Sequence, residues 1–252
     1  MRYAILSDIH SNLEALTAVL DRLSGDRIDR YCCLGDLIGY GADPEACLAR
    51  LRSLETISVC GNHEWACLGK LDPEWFSDSA KAAVLWTRDR LTFTDLDELR
   101  RLPLTLSDGP VTLVHGTLNH PDRFEYLMDL AHAIDTARTC RTQFCLVGHT
   151  HVPLLFEYDT DSRSARRVCA APDELAAGVR LAEAGAPMRY VINPGSVGQP
   201  RDGDPRASCA VLDTDARMLS IRRVAYDIAA AQRKIRDAGL PAFLADRLAM
   251  GR

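Results

Sequence analysis

The chain has 252 residues, 47% hydrophobic and 26% charged, which is enough to bury a full core as a large layered domain. A net charge of -5 excludes the global basic field that supports non-sequence-specific binding to extended nucleic acid. No run reaches the ~18 apolar residues of a membrane span and the N-terminus lacks a signal-peptide pattern. The nine scattered cysteines, without C-x-x-C spacing, read as reduced, buried hydrophobes, so a cytoplasmic protein is expected.

Arg2 to Ser7 reads as a buried strand ending in Asp8-Ile9-His10-Ser11-Asn12. A helix follows, with Leu13, Leu16, Val19, Leu20 and Leu23 on one face. Tyr31 to Leu34 is the next strand and ends in Gly35-Asp36, while Asp43-Pro44 supplies an N-cap and first-turn proline for a helix carrying Leu48 and Leu51. Thr56 to Cys60 closes this βαβ alternation and ends in Gly61-Asn62-His63-Glu64, which predicts parallel strands with helices against them. Between Trp65 and Pro103 the pattern is helical, clearest at Ser77 to Leu91 and Asp95 to Leu102.

Strand signals return at Val111 to Val114, before His115-Gly116, and at Phe144 to Val147, before Gly148-His149-Thr150-His151, with a helix predicted from Pro121 to Arg138 between them. After His151 the rhythm changes. Leu154 to Tyr158, Ser164 to Ala170, Tyr190 to Ile192, Ser208 to Leu212 and Met218 to Val224 are short strand-like runs, which predicts a second, largely antiparallel sheet with one helix near Pro172 to Ala184. Tyr226 to Ala238 reads as a closing helix. With no repeat, low-complexity tract or linker, one domain spanning 1–252 is expected, with a helical insertion at about 65–103.

Asp8, His10, Asp36, Asn62, His63, His115, His149 and His151 all stand at ends of predicted strands, and they include five of the seven histidines. Carboxyl ends of strands are where open α/β sheets bind ligands, and the glycines before Asp36 and Asn62 let the backbone turn sharply or approach a ligand closely. A lone His or Asp at such a place is more often a loop hydrogen-bonder. Imidazole together with carboxylate and amide oxygen suits divalent transition metals, and eight groups exceed the needs of one tetrahedral ion. Two ions sharing a bridging carboxylate account for them. His120 and His132 read as helix-surface residues, and Trp65, Trp75, Phe76 and Trp86 as helix-core packing rather than a stacking surface for a base.

Asp8-x-His10, Gly35-Asp36, Gly61-Asn62-His63-Glu64, His115 and Gly148-His149-x-His151, in that order, resemble the five motifs of the calcineurin-like metallophosphoesterases. The run Asn193-Pro194-Gly195-Ser196-Val197-Gly198-Gln199-Pro200-Arg201 is similar to a segment of the small bacterial phosphodiesterase branch of that family. The resemblance implies an α/β fold of four layers, α/β/β/α, in which two mixed β-sheets pack face to face with helices outside. It implies two divalent ions, manganese or iron by family expectation, with zinc, nickel or cobalt as alternatives. Asp8, His10 and His151 would hold one, Asn62, His115 and His149 the other, and Asp36 would bridge them. Such a pair, ~3.5 to 4 Å apart, supplies a bridging hydroxide for in-line attack. His63, oriented by the Asp36 carboxylate, would be the general acid on the leaving-group side.

Protein serine/threonine phosphatases of the superfamily carry Asp-Arg-Gly after the Gly-Asp motif, and that arginine grips phosphate. The corresponding residues here are Gly39-Tyr40-Gly41, which favours a phosphodiester of the nucleotide or cyclic-nucleotide class. Asn12, Tyr40 and Arg201 are candidate substrate contacts. The alternatives are a phosphomonoesterase or dinucleoside polyphosphate hydrolase with the same metals, and outside enzymes a scaffold subunit. The expected partner is a small phosphoester, with no membrane and no extended nucleic acid.

Overall fold

The computed structural model describes residues 1–54, 56–168 and 172–252. Strand β1 (Arg2–Leu6) pairs in parallel with β2 (Arg30–Cys33), and β2 with β3 (Ile57–Ser58). The crossovers are α1 (Leu13–Leu23) and α2 (Pro44–Arg52). Their apolar stripes, including Leu16, Val19 and Leu23 of α1 and Leu48 and Leu51 of α2, bury against Ala4, Leu6 and Cys33 on the outer face of the sheet. Each such side chain contributes about 1.5–3 kcal/mol when fully buried. Only Ile57–Ser58 of the predicted Thr56 to Cys60 strand is ladder-paired. Asp43 occupies the N-cap position of α2, but its carboxylate takes Lys234 rather than a helix N–H.

The helical stretch resolves into α3 (Asn62–Cys67), α4 (Asp78–Arg88) and α5 (Phe93–Arg101), with a 3-10 turn at Pro73–Trp75. Ser77 and Thr92 cap α4 and α5 by accepting from the N–H groups of Ala80 and Asp95. A hairpin of β4 (Thr105–Asp108), absent from the sequence reading, and β5 (Val111–Val114) follows. The predicted helix from Pro121 to Arg138 is α-helical only in its second half. Pro121–Arg123 forms a 3-10 turn, Phe124 is left-handed at φ 51°, and α6 (Leu130–Thr139) begins where Asp129 caps it. Then come β6 (Phe144–Leu146), β7 (Pro153–Asp159), β8 (Ser164–Arg167), α7 (Pro172–Ala177), β9 (Val179–Arg180), β10 (Met188–Pro194), β11 (Ala207–Asp213) and β12 (Met218–Val224). The chain closes with α8 (Ile228–Asp237) and α9 (Ala242–Asp246). The helix expected near Pro172 to Ala184 is therefore shorter, and the end of the Ser164 to Ala170 run lies outside the described residues.

The strands after His151 do not form a sheet of their own. β11, β12 and β9 extend the first sheet, in the order β3-β2-β1-β11-β12-β9, while β10, β7 and β8 extend the second, β4-β5-β6-β10-β7-β8. The first sheet joins parallel strands to one antiparallel flank, and the second has antiparallel strands on both sides of its parallel centre. Alternation identifies a strand but does not say which open edge it will join. Tyr3, Ile5, Leu212 and Ile221 of the first sheet meet Leu113, Phe144, Tyr190 and Ile192 of the second in one buried cluster, so the sheets pack face to face. Ala133 and Ala137 of α6 cover the outer face of the second sheet at Cys145, Phe156 and Val191. The result is the four-layer α/β/β/α arrangement. The eight described cysteines are free and buried, and Cys169 lies outside the described residues. Among the described residues, no helix is long and apolar enough to cross a membrane.

Candidate metal centre

Loops at the carboxyl ends of β1, β2, β5 and β6, together with the first turn of α3, converge on one buried place. The loops after β1 and β2 run side by side, with the N–H groups of Asp8, His10 and Ser11 donating to the carbonyls of Gly35, Asp36 and Leu37 at 2.9–3.1 Å. This pairing holds backbone in the left-handed region: Asp8, His10, Ser11, Asp36 and Tyr40 have φ between 50° and 56°, and His149 and His151 lie at 68° and 61°. Each costs about 1–2 kcal/mol relative to the ordinary helical region, and such strain persists where surrounding bonds over-determine it. Two glycines permit the close approach. A Cβ on Gly61 would meet Asp36 Oδ1 at 2.2 Å, and one on Gly39 (φ 89°) would meet His63 Nδ1 at 2.2 Å.

The histidine tautomers follow from their partners. Nδ1 of His10, His151 and His115 faces the carbonyls of Ile38, Gln199 and Leu34 at 3.1, 2.6 and 2.6 Å. A carbonyl can only accept, so each Nδ1 donates, and in the neutral ring each Nε2 presents a lone pair inward. His10 Nε2 and His151 Nε2 nevertheless stand 3.2 Å apart, with Asp8 Oδ1 3.2 Å from the latter. That carboxylate oxygen is buried and has no hydrogen-bond partner. On the other side His115 Nε2 faces Asn62 Oδ1 at 3.1 Å, His149 Nδ1 at 3.1 Å and Asp36 Oδ2 at 3.3 Å. Asp36 Oδ2 also lies 3.7 Å from His10 Nε2, between the two groups. Lone pairs pressed together in this way repel unless a cation sits among them, so the donor set fits two adjoining divalent ions. Asp8, His10 and His151 form one cluster, and Asp36, His115 and His149 another, with ligand atoms within 4.8 Å of one another in each.

Electrostatics point the same way. Burial would raise Asp8 and Asp36, but the neighbouring imidazoles override it and hold both carboxyls below their ordinary range. Burial opposes a charge on His115, yet Asp36 lifts that ring to about 9, while burial takes His149 down to about 3. Negative potential at Asp36 thus attracts positive charge to one side of the site.

His63 is buried between Tyr40 and His10, whose ring centroids lie 4.5 and 4.8 Å from its own, and Phe76, edge-on at 5.2 Å. The expectation that the Asp36 carboxylate orients its ring needs correction. Asp36 Oδ1 accepts from the His63 backbone N–H at 3.0 Å, whereas Oδ2 is 4.0 Å from the ring nitrogen, so packing sets the ring angle. Asn12 is a second correction. Its Oδ1 caps α1 through Ala15 N–H and its Nδ2 donates to the Gly198 carbonyl, so the buried amide serves the fold rather than a substrate. Tyr40 and Arg201 do line the cleft above the cluster, together with Asn62 and His149.

Several contributors were missed. Glu64, given no role in the sequence reading, is buried and accepts from the N–H groups of Gly61, Asp36, Leu37 and Ile38 at 2.7–3.2 Å. Burial and then Asp36 push its carboxyl up to about 7, against those four donors. Its spacing three residues after Gly61 is the half capping box that could have revealed it. The Asn193 to Arg201 run staples the two sides. Asn193 Nδ2 donates to the Gly148 carbonyl, Ser196 Oγ to that of Asp8, and the Gln199 carbonyl holds His151. Tyr126 stacks on His149 at 3.9 Å, and Arg123 and Arg247 reach the cleft from segments without any motif. Trp65 and Trp86 pack against Phe124 and the Ala238 carbonyl, but Trp75, read as core, is 83% exposed at the cleft.

Two mixed sheets packed face to face, with carboxylate, amide and imidazole donors gathered at their strand ends, define a metallophosphoesterase architecture. Residues 1–217 match the calcineurin-like phosphoesterase superfamily domain, and the chain belongs to that superfamily. It is 36% identical to the uncharacterized protein MJ0912 of Methanocaldococcus jannaschii over 99% of this chain and 98% of that one. The crystal structure of a metallophosphoesterase from Sphaerobacter thermophilus is 41% identical, covers 100% of this chain and 99% of its own, and superposes with a TM-score of 0.84. A symmetrical bis(5'-nucleosyl)-tetraphosphatase of Chromohalobacter salexigens is 32% identical over 55% of this chain and 52% of its own.

Proposed function

We propose that the chain is a dinuclear metal-dependent phosphoesterase that hydrolyses phosphodiester bonds of the nucleotide class. Asp8, His10 and His151 would hold one divalent ion and Asn62, His115 and His149 the other, with Asp36 between them. The carrying observation is the pair of inward-facing nitrogens 3.2 Å apart beside an unpartnered buried carboxylate oxygen, a set of acceptors that calls for cations. When bound, two such ions acidify a water and neutralise charge on the phosphoryl group.

The protein's own residues do the rest. Fixed Nδ1–H donors keep the imidazoles aimed, and Glu64 holds the backbone of the Asp36 loop. His63 donates the proton to the leaving oxygen. Burial, with Asp36 opposing, holds its ring down to about 4, so it is neutral in the free site, and a bound phosphate anion raises it toward the acid form. Tyr40, in place of a phosphate-gripping arginine, supports a diester over a monoester. Trp75, exposed at the mouth of the cleft, supports a nucleotide base, and the tetraphosphatase relative, aligned over about half of each chain, is consistent with that class and with nothing finer.

His63→Ala tests the reading. With manganese restored, kcat on an alkyl phosphodiester should fall about 10²- to 10⁴-fold, and much less on an aryl diester whose leaving group needs no proton. Both metals should remain by elemental analysis. Equal losses on the two substrates, or loss of metal, would remove His63 from the acid role. Preference of the unmodified protein for an aryl monoester over the matched diester would overturn the substrate class.

A further inference from the structure

The cleft over the ligand cluster, about 400 Å³, carries Asn62 and His149 on its floor and Arg123, Arg201 and Arg247 on its wall. The chain holds 35 acidic against 30 basic residues, yet no Asp or Glu lines this cleft. Among the described residues none of the three arginines pairs with an Asp or Glu side chain, whereas Arg52, Arg166 and Arg223 each do. Arg201 is aimed by Gln199 Oε1, which accepts from its Nε at 3.3 Å and its Nη2 at 2.8 Å, and its guanidinium carbon lies 5.8 Å from the Tyr40 ring. Arg247 spends its Nε on the Arg252 carbonyl, and its two terminal nitrogens have no protein hydrogen-bond partner among the described residues. Burial, and then the charge of Arg201, hold Arg247 down to about 10, so the two guanidinium groups feel each other.

We propose that Arg201 and Arg247 form a subsite for a second phosphate of the substrate, beside the one being cleaved. This rests on the phosphodiester reading above and narrows it. The ligand cluster at the floor takes the scissile group, and that leaves the wall for a different anion. Two partly buried, like-charged guanidinium groups that meet no Asp or Glu side chain suit an anion, and their remaining N–H groups can donate to phosphate oxygens. A single-phosphate diester would leave both unmet. Arg123, exposed on its 3-10 turn, adds a weaker third charge at the rim.

ADP and AMP differ only in that second phosphate. Their dissociation constants for the manganese-loaded protein are to be read by tryptophan fluorescence, with Trp75 as reporter and free nucleotide corrected for manganese binding. ADP should bind at least about tenfold more tightly than AMP. Arg247→Ala and Arg201→Ala should each shrink the ratio below about threefold, while Arg247→Lys, which keeps the charge but not the planar donor group, should fall between the unmodified protein and Arg247→Ala. Persisting AMP binding in the alanine variants shows that they fold. A ratio near one in the unmodified protein, or an unchanged ratio in both alanine variants, overturns the subsite. Failure of the phosphodiester reading shows separately: no diester turnover with both metals bound, while the ADP preference persists, removes that reading and leaves the second-phosphate site standing.

Discussion

The floor and the wall of the cleft are built on opposite principles. On the floor Asp8, His10, Asp36, His115, His149 and His151 are buried, several in left-handed backbone, and the rings of His10, His115 and His151 are fixed by backbone carbonyls. The wall draws Tyr40, Trp75, Arg123 with Tyr126, Arg201 and Arg247 from five separate segments, with Trp75 83% and Tyr126 44% exposed. Rigid strand ends carry the groups that must hold ångström-level geometry, whereas adaptable side chains meet the variable part of a ligand. The difference predicts that floor substitutions remove function outright and wall substitutions grade it.

The largest effect is expected at Asp36, which faces both candidate ion positions. Asp36→Asn should lower metal content by elemental analysis and cut turnover by at least about 10³, the several kcal/mol that ion-centred charge stabilisation supplies. Two tightly retained ions would show that Asp36 is not the bridge. Next is Glu64→Gln. An amide leaves only one oxygen for four N–H groups and points its own N–H toward donors, so urea unfolding should show a loss of about 2–3 kcal/mol. A loss below about 0.5 kcal/mol with unaltered metal affinity would mean that the Asp36 loop holds itself. The smallest effect is expected at Trp75. Trp75→Ala should raise KM for a nucleotide diester about fivefold, the low end of base stacking at an exposed site, and leave kcat alone. An equal KM change with a diester lacking a base would end the stacking role.

The floor was legible because each of its residues sits within a few positions of a strand end, where hydrophobic runs, glycines and the Asp-x-His, Gly-Asp and Gly-His-x-His spacings mark it. Even there, the sequence misassigned Asn12, whose short amide caps a helix, and passed over Glu64, whose four partners lie on two loops. The helix from Pro121 was misread because an apolar, proline-started run carries no sign that Phe124 will turn left-handed and send Tyr126 onto His149.

By itself the sequence determined most of the strands and helices, the alternation that makes the first strands parallel, and the donor types gathered at their ends, because periodicity, capping and short motifs act within a few residues. Only the tertiary structure decided that the strands after His151 divide between two sheets, that the Asn193 to Arg201 run staples the ligand loops, and that Arg247 and Arg201 line the same cleft. Those outcomes depend on which edges and faces remain open once the core has packed, and residues far apart in the chain share no local signal that records it.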